Sequence, residues 1–470
     1  MPATGRKRQF VAVVLAAGKG VRFKSDGPKV LHEILGRPLA WYPIRLALDA
    51  GAARVICVVE PEAAAVRGRL DSEFGAGAIT YAVQSERLGT AHALHCAAPA
   101  IPKDATKILV LYGADPMMTR GTIDALIGAG KKSDLAITTA VLENPTGYGR
   151  VIRDEKRSIA SIVEERDAAA GQKKVREVNA GIYMMNAALA KDLLRKVGNR
   201  NAQKEYYLTD LVGWTVRRGL KTASVPITDP SELVGVNDRA ELAVCAREMA
   251  RRINLGHMKN GVTIAAPDCT WIGPEVKIGR DTVVMPGCVL LGKTSIGKNC
   301  VVEAHAVVRD CVVGDAAHVR EFCHLERSIV GDRAVVGPFA RMRPESVLDD
   351  EAHIGNFVEI KKTRMGRRSK ANHLTYLGDA QIGSDVNVGA GTITCNYDGV
   401  GKYVTVIEDG VFVGSDTQFV APVTIGKNAY IGAGSTITTD VPPDSLALSR
   451  VPQRVIPEGA KAKRERAKKG

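Results

Sequence analysis

The chain has 470 residues, 45% of them hydrophobic and 25% charged, and a formal net charge of +14. That length holds two or three domains with sizeable cores, and the balance is ordinary for a soluble protein. No apolar run approaches the roughly 20 residues of a membrane span, and the opening MPATGRKRQF lacks the apolar stretch and small-residue cleavage site of a secretory signal. Much of the charge is terminal: Arg6, Lys7 and Arg8 open the chain, and the last ten residues, KAKRERAKKG, carry a net +5. The plain reading of that tail is a solvated, disordered segment, with a nucleic-acid arm as the less favoured alternative. Nine cysteines form no C-x-x-C pair and read as buried, reduced thiols of a cytoplasmic protein.

Up to about residue 240, short apolar runs alternate with helical patterns. Val11–Leu15, Val55–Val59, Ile108–Leu111 and Leu135–Val141 read as buried strands, and 38–50 and 91–98 as helices between them. Such alternation predicts a mostly parallel, Rossmann-like α/β sheet covered on both faces. The first strand runs into LAAGKGVRF and then SDGPKV. A glycine-rich turn after a strand presents backbone N–H groups to phosphate, and Gly18 and Gly20 permit close approach. Arg22 and Lys29 are placed to neutralise charge developing at phosphorus. The third glycine of a dinucleotide-binding fingerprint is missing.

A helix over 241–255 leads into a different texture. An aliphatic residue recurs every six positions: Ile272, Ile278, Val284, Leu290, Ile296, Val302, Val308, then Val330 to Ile360, then Val413 to Ile437. This period fits three-sided coils with one inward side chain per side, a hexapeptide parallel β-helix. The glycine that often follows the inward residue is expected to make the turns. The period slips by one residue at Ile360–Met365 and Leu377–Ile382, and stretches between Thr394 and Ile407 into a loop around Asn396–Tyr403. The expected boundaries are 1–240, a linking helix at 241–261, the repeat domain at 262–447 and a terminal segment at 448–470. Five histidines lie in the repeat, and His373 stands apart because it falls between the two slips and ahead of the looped-out stretch.

Taken together, the chain resembles bacterial bifunctional sugar-nucleotide pyrophosphorylase/hexosamine-phosphate acetyltransferases from end to end. The match rests on the Gly-x-Gly-x-Arg and Pro-Lys motifs, Leu88-Gly89-Thr90, Tyr112-Gly113, Tyr148-Gly149-Arg150, Ile162-Val163-Glu164 and Gly235-Val236-Asn237. In the repeat it rests on Arg341-Met342-Arg343-Pro344, Gly355-Asn356-Phe357, His373-Leu374-Thr375-Tyr376 and Cys395-Asn396-Tyr397-Asp398. The resemblance implies a nucleotidyltransferase domain followed by a left-handed parallel β-helix acetyltransferase domain, assembled as a homotrimer.

It further implies that UTP is read by Leu15, Ala16, Ala17, Gly18, Arg22, Lys29, Gln84, Gly89 and Thr90. N-acetylglucosamine-1-phosphate is held by Gly149, Glu164, Asn179 and Asn237. In the repeat domain, His373 is the general base that deprotonates the amine of glucosamine-1-phosphate. Arg343, Lys361, Tyr376 and Asn387 hold that sugar, with Tyr397 beside it. Ala390, Asn396, Tyr397, Ser415, Ala433 and Arg450 contact acetyl-CoA. Glu359 is our own candidate for orienting His373 or the amine, since a base is commonly aimed by a third group.

One departure stands out. The family's Asp-x-Pro, whose Asp holds Mg²⁺ with Asn237, reads Ala114-Asp115-Pro116 here. In an extended segment a one-residue shift turns the side chain to the opposite face. Either the backbone lets Asp115 serve the metal or the uridyltransferase half is weakened. A non-catalytic nucleotide-binding scaffold, or another sugar-1-phosphate as acceptor, are further alternatives. A milder departure is Arg87, where some relatives carry Gln.

Overall fold

The computed structural model describes residues 10–193 and 196–468, so the Arg6–Arg8 cluster lies outside the described residues. The chain divides into two compact units, Met1–Met249 and Ala250–Gly470, with the division falling inside the helix Arg239–Lys259.

In the first unit the wholly buried strand Phe10–Leu15 pairs in parallel with Val55–Val59 on one side and Lys107–Tyr112 on the other. Apolar residues on both faces suit a central strand covered from both sides. The sheet runs Thr222–Pro226, Leu135–Val141, Glu177–Asn186, Lys107–Tyr112, Phe10–Leu15, Val55–Val59, Ile79–Val83. Glu177–Asn186 is antiparallel to both neighbours and carries the short pair Arg150–Arg153 and Ile159–Val163 at its edge. This antiparallel insertion was not legible in the sequence. The helices are Trp41–Asp49 and Thr90–Ala97 where 38–50 and 91–98 were expected; Pro38 belongs to a small two-stranded pair instead.

The second unit is a left-handed parallel β-helix of three sheets with 11, 10 and 9 strands. Val284 pairs with Val302, Val319 with Val336 and Val388 with Val413, so each inward aliphatic stacks on its counterpart one coil away. The stacked side chains form one continuous core from Val262 to Val441, with Ile278 only partly buried.

The turns are not made by the glycines that follow the inward residues. They are made by left-handed residues such as Asp281, Asn299, Arg333, Glu351 and Asp385. The glycines serve close approach: a β-carbon on Gly279 would stand 2.6 Å from the carbonyl carbon of Gly297, and one on Gly331 the same distance from that of Asp349.

Before several strands a buried Thr, Ser or Cys fills the corner and bonds a backbone carbonyl. Thr363 Oγ1 donates to Leu377 at 2.9 Å, Ser369 Oγ to Gly383 at 2.6 Å, and the thiols of Cys288 and Cys300 to Glu303 and Gly314 at 3.0 Å. The cysteines here therefore substitute for Ser and Thr as coil ties. Burial pushes the thiols of Cys288, Cys311 and Cys323 up to about 11. Among the described residues no cysteine is in a disulfide; six cysteines are buried and Cys269 is exposed.

At one corner the left-handed residues His305, Phe322, Phe339 and Phe357 stack ring on ring at 5.1–5.2 Å between centroids. The basic tail departs from expectation: Gly459–Ala467 is a helix with no buried residue. Its Ala, Lys, Arg and Glu are strong helix formers, and Lys461 pairs with Glu458 at 3.4 Å. No helix among the described residues is long and apolar enough to cross a membrane.

Gly331→Ala is expected to destabilise the solenoid by about 1–3 kcal/mol, the usual cost of overpacking a close contact. Calorimetric melting of the variant would show it; an unchanged transition would remove close approach as the reason for these glycines.

Candidate functional site

The first site lies at the carboxyl ends of the parallel strands, where α/β sheets usually bind ligands. A cavity of about 410 Å³ is lined by Leu15, Ala16, Ala17, Gly18, Lys29, Gln84, Gly89, Thr90, Ala114, Asp115 and Asn237, among others. Gly18 faces open space, whereas Gly20 is left-handed and its β-carbon position is 2.6 Å from Lys29 Cβ. Gly89 is also left-handed, and a β-carbon there would stand 2.6 Å from the Tyr206 carbonyl oxygen. The hydroxyl of Thr90 accepts the Leu208 N–H at 3.0 Å, which ties this turn to the segment before Asp210–Arg217. Arg22 is exposed on the short turn Val21–Phe23 and does not line the cavity. Arg87 does line it and pairs with Glu60 at 2.8 Å.

Ala114 and Asp115 do not continue the strand. Lys107–Tyr112 ends before them, and the Asp115 N–H bonds the Tyr112 carbonyl at 3.3 Å in a turn. The one-residue shift therefore does not put Asp115 on the opposite face: both side chains line the cavity with Asn237. Gly235 leaves room for the carboxylate, since a β-carbon there would lie 2.6 Å from Asp115 Oδ1. Burial raises the Asp115 carboxyl to about 6, opposed by the Lys29 ammonium. Lys29 Nζ donates to Asn237 Oδ1 at 3.3 Å, and burial lowers its own pKa. Glu241 accepts the Asn237 N–H at 2.6 Å, a support the sequence reading did not name.

The sugar-binding candidates of this unit are neighbours. Asn179 N–H donates to the Gly149 carbonyl at 2.8 Å, and a β-carbon on Gly149 would lie 3.4 Å from Glu164 Oε2. Thr209 donates to Glu164 at 2.9 Å, and burial raises the Glu164 carboxyl. Glu164 also lines a second cavity of about 320 Å³ with Asp167, Arg200 and Asp210.

In the β-helix, one corner gathers residues far apart in sequence. Leu374 N–H bonds Asn356 O, Gly391 N–H bonds Leu374 O, Asp416 N–H bonds Ala390 O at 2.7 Å and Gly434 N–H bonds Ser415 O at 2.8 Å. His373, Ala390, Ser415 and Ala433 thus occupy successive levels of a single edge. Arg450 Nη1 closes the series by donating to the Ala433 carbonyl at 2.7 Å. Asn387 lies on the adjoining sheet, paired with Lys370 and Phe412.

Around the corner, Glu359 pairs in register with Tyr376, and Lys361 with Gly378. Arg343 meets Glu359 at 3.1 Å, and Lys361 lies 3.9 Å from Asp379. Asn396 donates to Asp379, and a β-carbon on Gly378 would come 2.8 Å from Asn396 Nδ2. The looped-out stretch closes through a Tyr397–Lys402 bridge and returns Lys402 to Lys361, whose pKa that second ammonium lowers. Lys402 was missed in the sequence, although the break in the period marked its loop. Glu359 does not aim His373: its carboxylate is engaged by Arg343, and among the described residues the exposed His373 ring has no hydrogen bond.

Comparison with known proteins agrees with both units. Residues 11–229 match the nucleotidyl transferase family, 271–370 a GMPPB C-terminal domain, and 405–439 the bacterial transferase hexapeptide (six repeats). The bifunctional protein GlmU of Trichlorobacter lovleyi is 48% identical over 94% of this chain and 96% of its own length. That of Pelobacter propionicus is 49% identical over the same shares, and that of Geotalea daltonii 47% over 97% and 99%. With likeness at this level running through both units, the chain belongs to the GlmU family of bifunctional proteins.

Proposed function

We propose that the chain acetylates glucosamine-1-phosphate from acetyl-CoA in its β-helix and then transfers UMP from UTP to the resulting N-acetylglucosamine-1-phosphate in its α/β unit. The observation that carries the reading is the place of His373. It lies on the edge shared with Ala390, Ser415 and Ala433, just ahead of Tyr376–Gly378, the strand that pairs with Glu359–Lys361.

His373 takes a proton from the amine as the nitrogen lone pair attacks the thioester carbonyl, and returns it to the thiolate as the C–S bond breaks, releasing coenzyme A. Arg343, Lys361 and Lys402 hold the sugar phosphate by charge, while Tyr376, Asn387 and Tyr397 orient the ring. Ala390, Asn396, Ser415, Ala433 and Arg450 take acetyl-CoA along the corner.

In the α/β unit a phosphate oxygen of the acetylated sugar attacks the α-phosphorus of UTP and pyrophosphate leaves. Such a displacement depends on positioning and charge more than on covalent catalysis. Lys29 supplies positive charge from the cavity wall and Arg22 from the exposed turn beside it, and Gly149, Glu164 and Asn179 hold the acceptor.

Asp115 and Asn237 are hard oxygen donors on one cavity and fit a divalent cation that takes few protein ligands, which we take as Mg²⁺. When bound, such an ion neutralises triphosphate charge. A second reading, a weakened uridyltransferase, rests on Ala114 alone. The exposed corner column of Phe322, Phe339, Phe357 and Leu374 supports association of copies, which we read as a homotrimer. We place the protein in the cytoplasm, where its nucleotide and thioester substrates reside.

His373→Ala should lower thiol release from acetyl-CoA by about 10²–10⁴-fold, the usual share of a general base. Undiminished acetylation would overturn its assignment. Asp115→Asn should cut pyrophosphate release from UTP on the order of 100-fold while leaving acetyl transfer intact. Ala114→Asp added to it is expected to restore turnover. If Asp115→Asn is as active as the parent, the metal has other ligands. Chelation of divalent ions should likewise stop pyrophosphate release; turnover that survives it would argue against a metal-dependent step.

A further inference from the structure

Beside the nucleotide cavity, Gln84 is held by His92, a residue to which the activity described above gives no task. Gln84 follows the strand Ile79–Val83 and is only 5% exposed. Its carboxamide Nε2 donates to the Gly89 carbonyl at 3.2 Å and lies 3.1 Å from Nδ1 of His92, on the helix Thr90–Ala97. A carbonyl oxygen only accepts, so the group facing Gly89 must be the NH₂ end of the amide. Both N–H bonds are then committed, and His92 Nδ1 has to offer a lone pair, which places the ring proton on Nε2. Cys96 Sγ lies 4.0 and 3.9 Å from the two ring nitrogens and so packs against the ring without favouring either. The Tyr206 ring lies 6.4 Å from the imidazole between centroids. The Gln84 oxygen has no hydrogen bond among the described residues, and Gln84 lines the cavity.

We infer that His92 is a positioning residue that selects the nucleobase. By committing the second N–H of Gln84, it leaves the cavity an acceptor and no donor at this point. A base offering an imide N–H, as uracil does, is accepted. A base offering a ring lone pair there, as cytosine does, meets an opposing oxygen. Sites that pair a buried polar group with a substrate donor reject analogues lacking it by large factors. Without the imidazole the second N–H is free, and cytosine acquires a donor. This inference rests on the reading that the cavity binds UTP.

The test compares UTP with CTP in pyrophosphate release with N-acetylglucosamine-1-phosphate, and as ligands by calorimetry. His92→Leu should reduce the UTP:CTP ratio of kcat/KM at least about tenfold. His92→Asn, whose Oδ1 replaces Nδ1 at the same remove from Cβ, should keep most of it. A merely structural role would weaken both nucleotides alike and leave the ratio unmoved. An unchanged ratio in His92→Leu, or equal loss in both variants, overturns the inference. If the parent protein releases pyrophosphate from neither nucleotide, the uridyltransferase reading falls. The calorimetric preference then decides on His92: lost in Leu and kept in Asn supports it, and any other pattern overturns it. Acetyl transfer by the same samples checks that each variant is folded.

Discussion

Backbone hydrogen bonding from coil to coil is the constraint on which the acetyl-transfer site depends. Each strand amide finds its partner on the neighbouring coil, so Val284 sits beside Val302 and Val301 beside His318. That ladder satisfies the polar backbone of a slender core and fixes the spacing of everything projecting from it. Residues 17 to 25 apart become neighbours on one edge. Close approach by glycines and hydroxyl or thiol ties at the corners keep the coils in register, and the stacked rings of Phe322, Phe339 and Phe357 line the same edge. Under the function proposed above, such a straight, repetitive edge supports a ligand as long as acetyl-CoA beside the exposed His373 imidazole.

The α/β unit solves a different problem by a different route. Parallel strands end together, and the turns that follow them converge on one cavity. The glycine turn follows Phe10–Leu15, Gln84 and Gly89 both follow Ile79–Val83, and the Asp115 turn follows Lys107–Tyr112. Lys29 and Asn237, 208 residues apart, meet there through a hydrogen bond. Convergence of this kind tolerates local change: where the chain leaves the strand at Gly113, a carboxylate moved by one residue still borders the same space.

Polar groups in that cavity are held by second partners more than by burial alone. Thr90 is engaged by Leu208, and Asn237 by Glu241 and Lys29; in the neighbouring cavity Glu164 is likewise engaged by Thr209. Each such bond removes a degree of freedom from a group that would otherwise adapt to several ligands.

Much of this was written in the sequence. The six-residue period specified the β-helix, because one inward aliphatic per flat side is what a three-sided coil requires, and its breaks marked the loop that carries Asn396 and Tyr397. Buried apolar runs specified most parallel strands, since burial on both faces leaves an unbroken hydrophobic signature. Tertiary structure alone decided the rest. Period cannot tell whether glycine turns a corner or admits a neighbouring coil, and only the packed coils show the latter at Gly279 and Gly331. Likewise the facing of Asp115, the diversion of Glu359 to Arg343 and the grip of His92 on Gln84 depend on where chains distant in sequence come to rest, and local pattern holds no record of that.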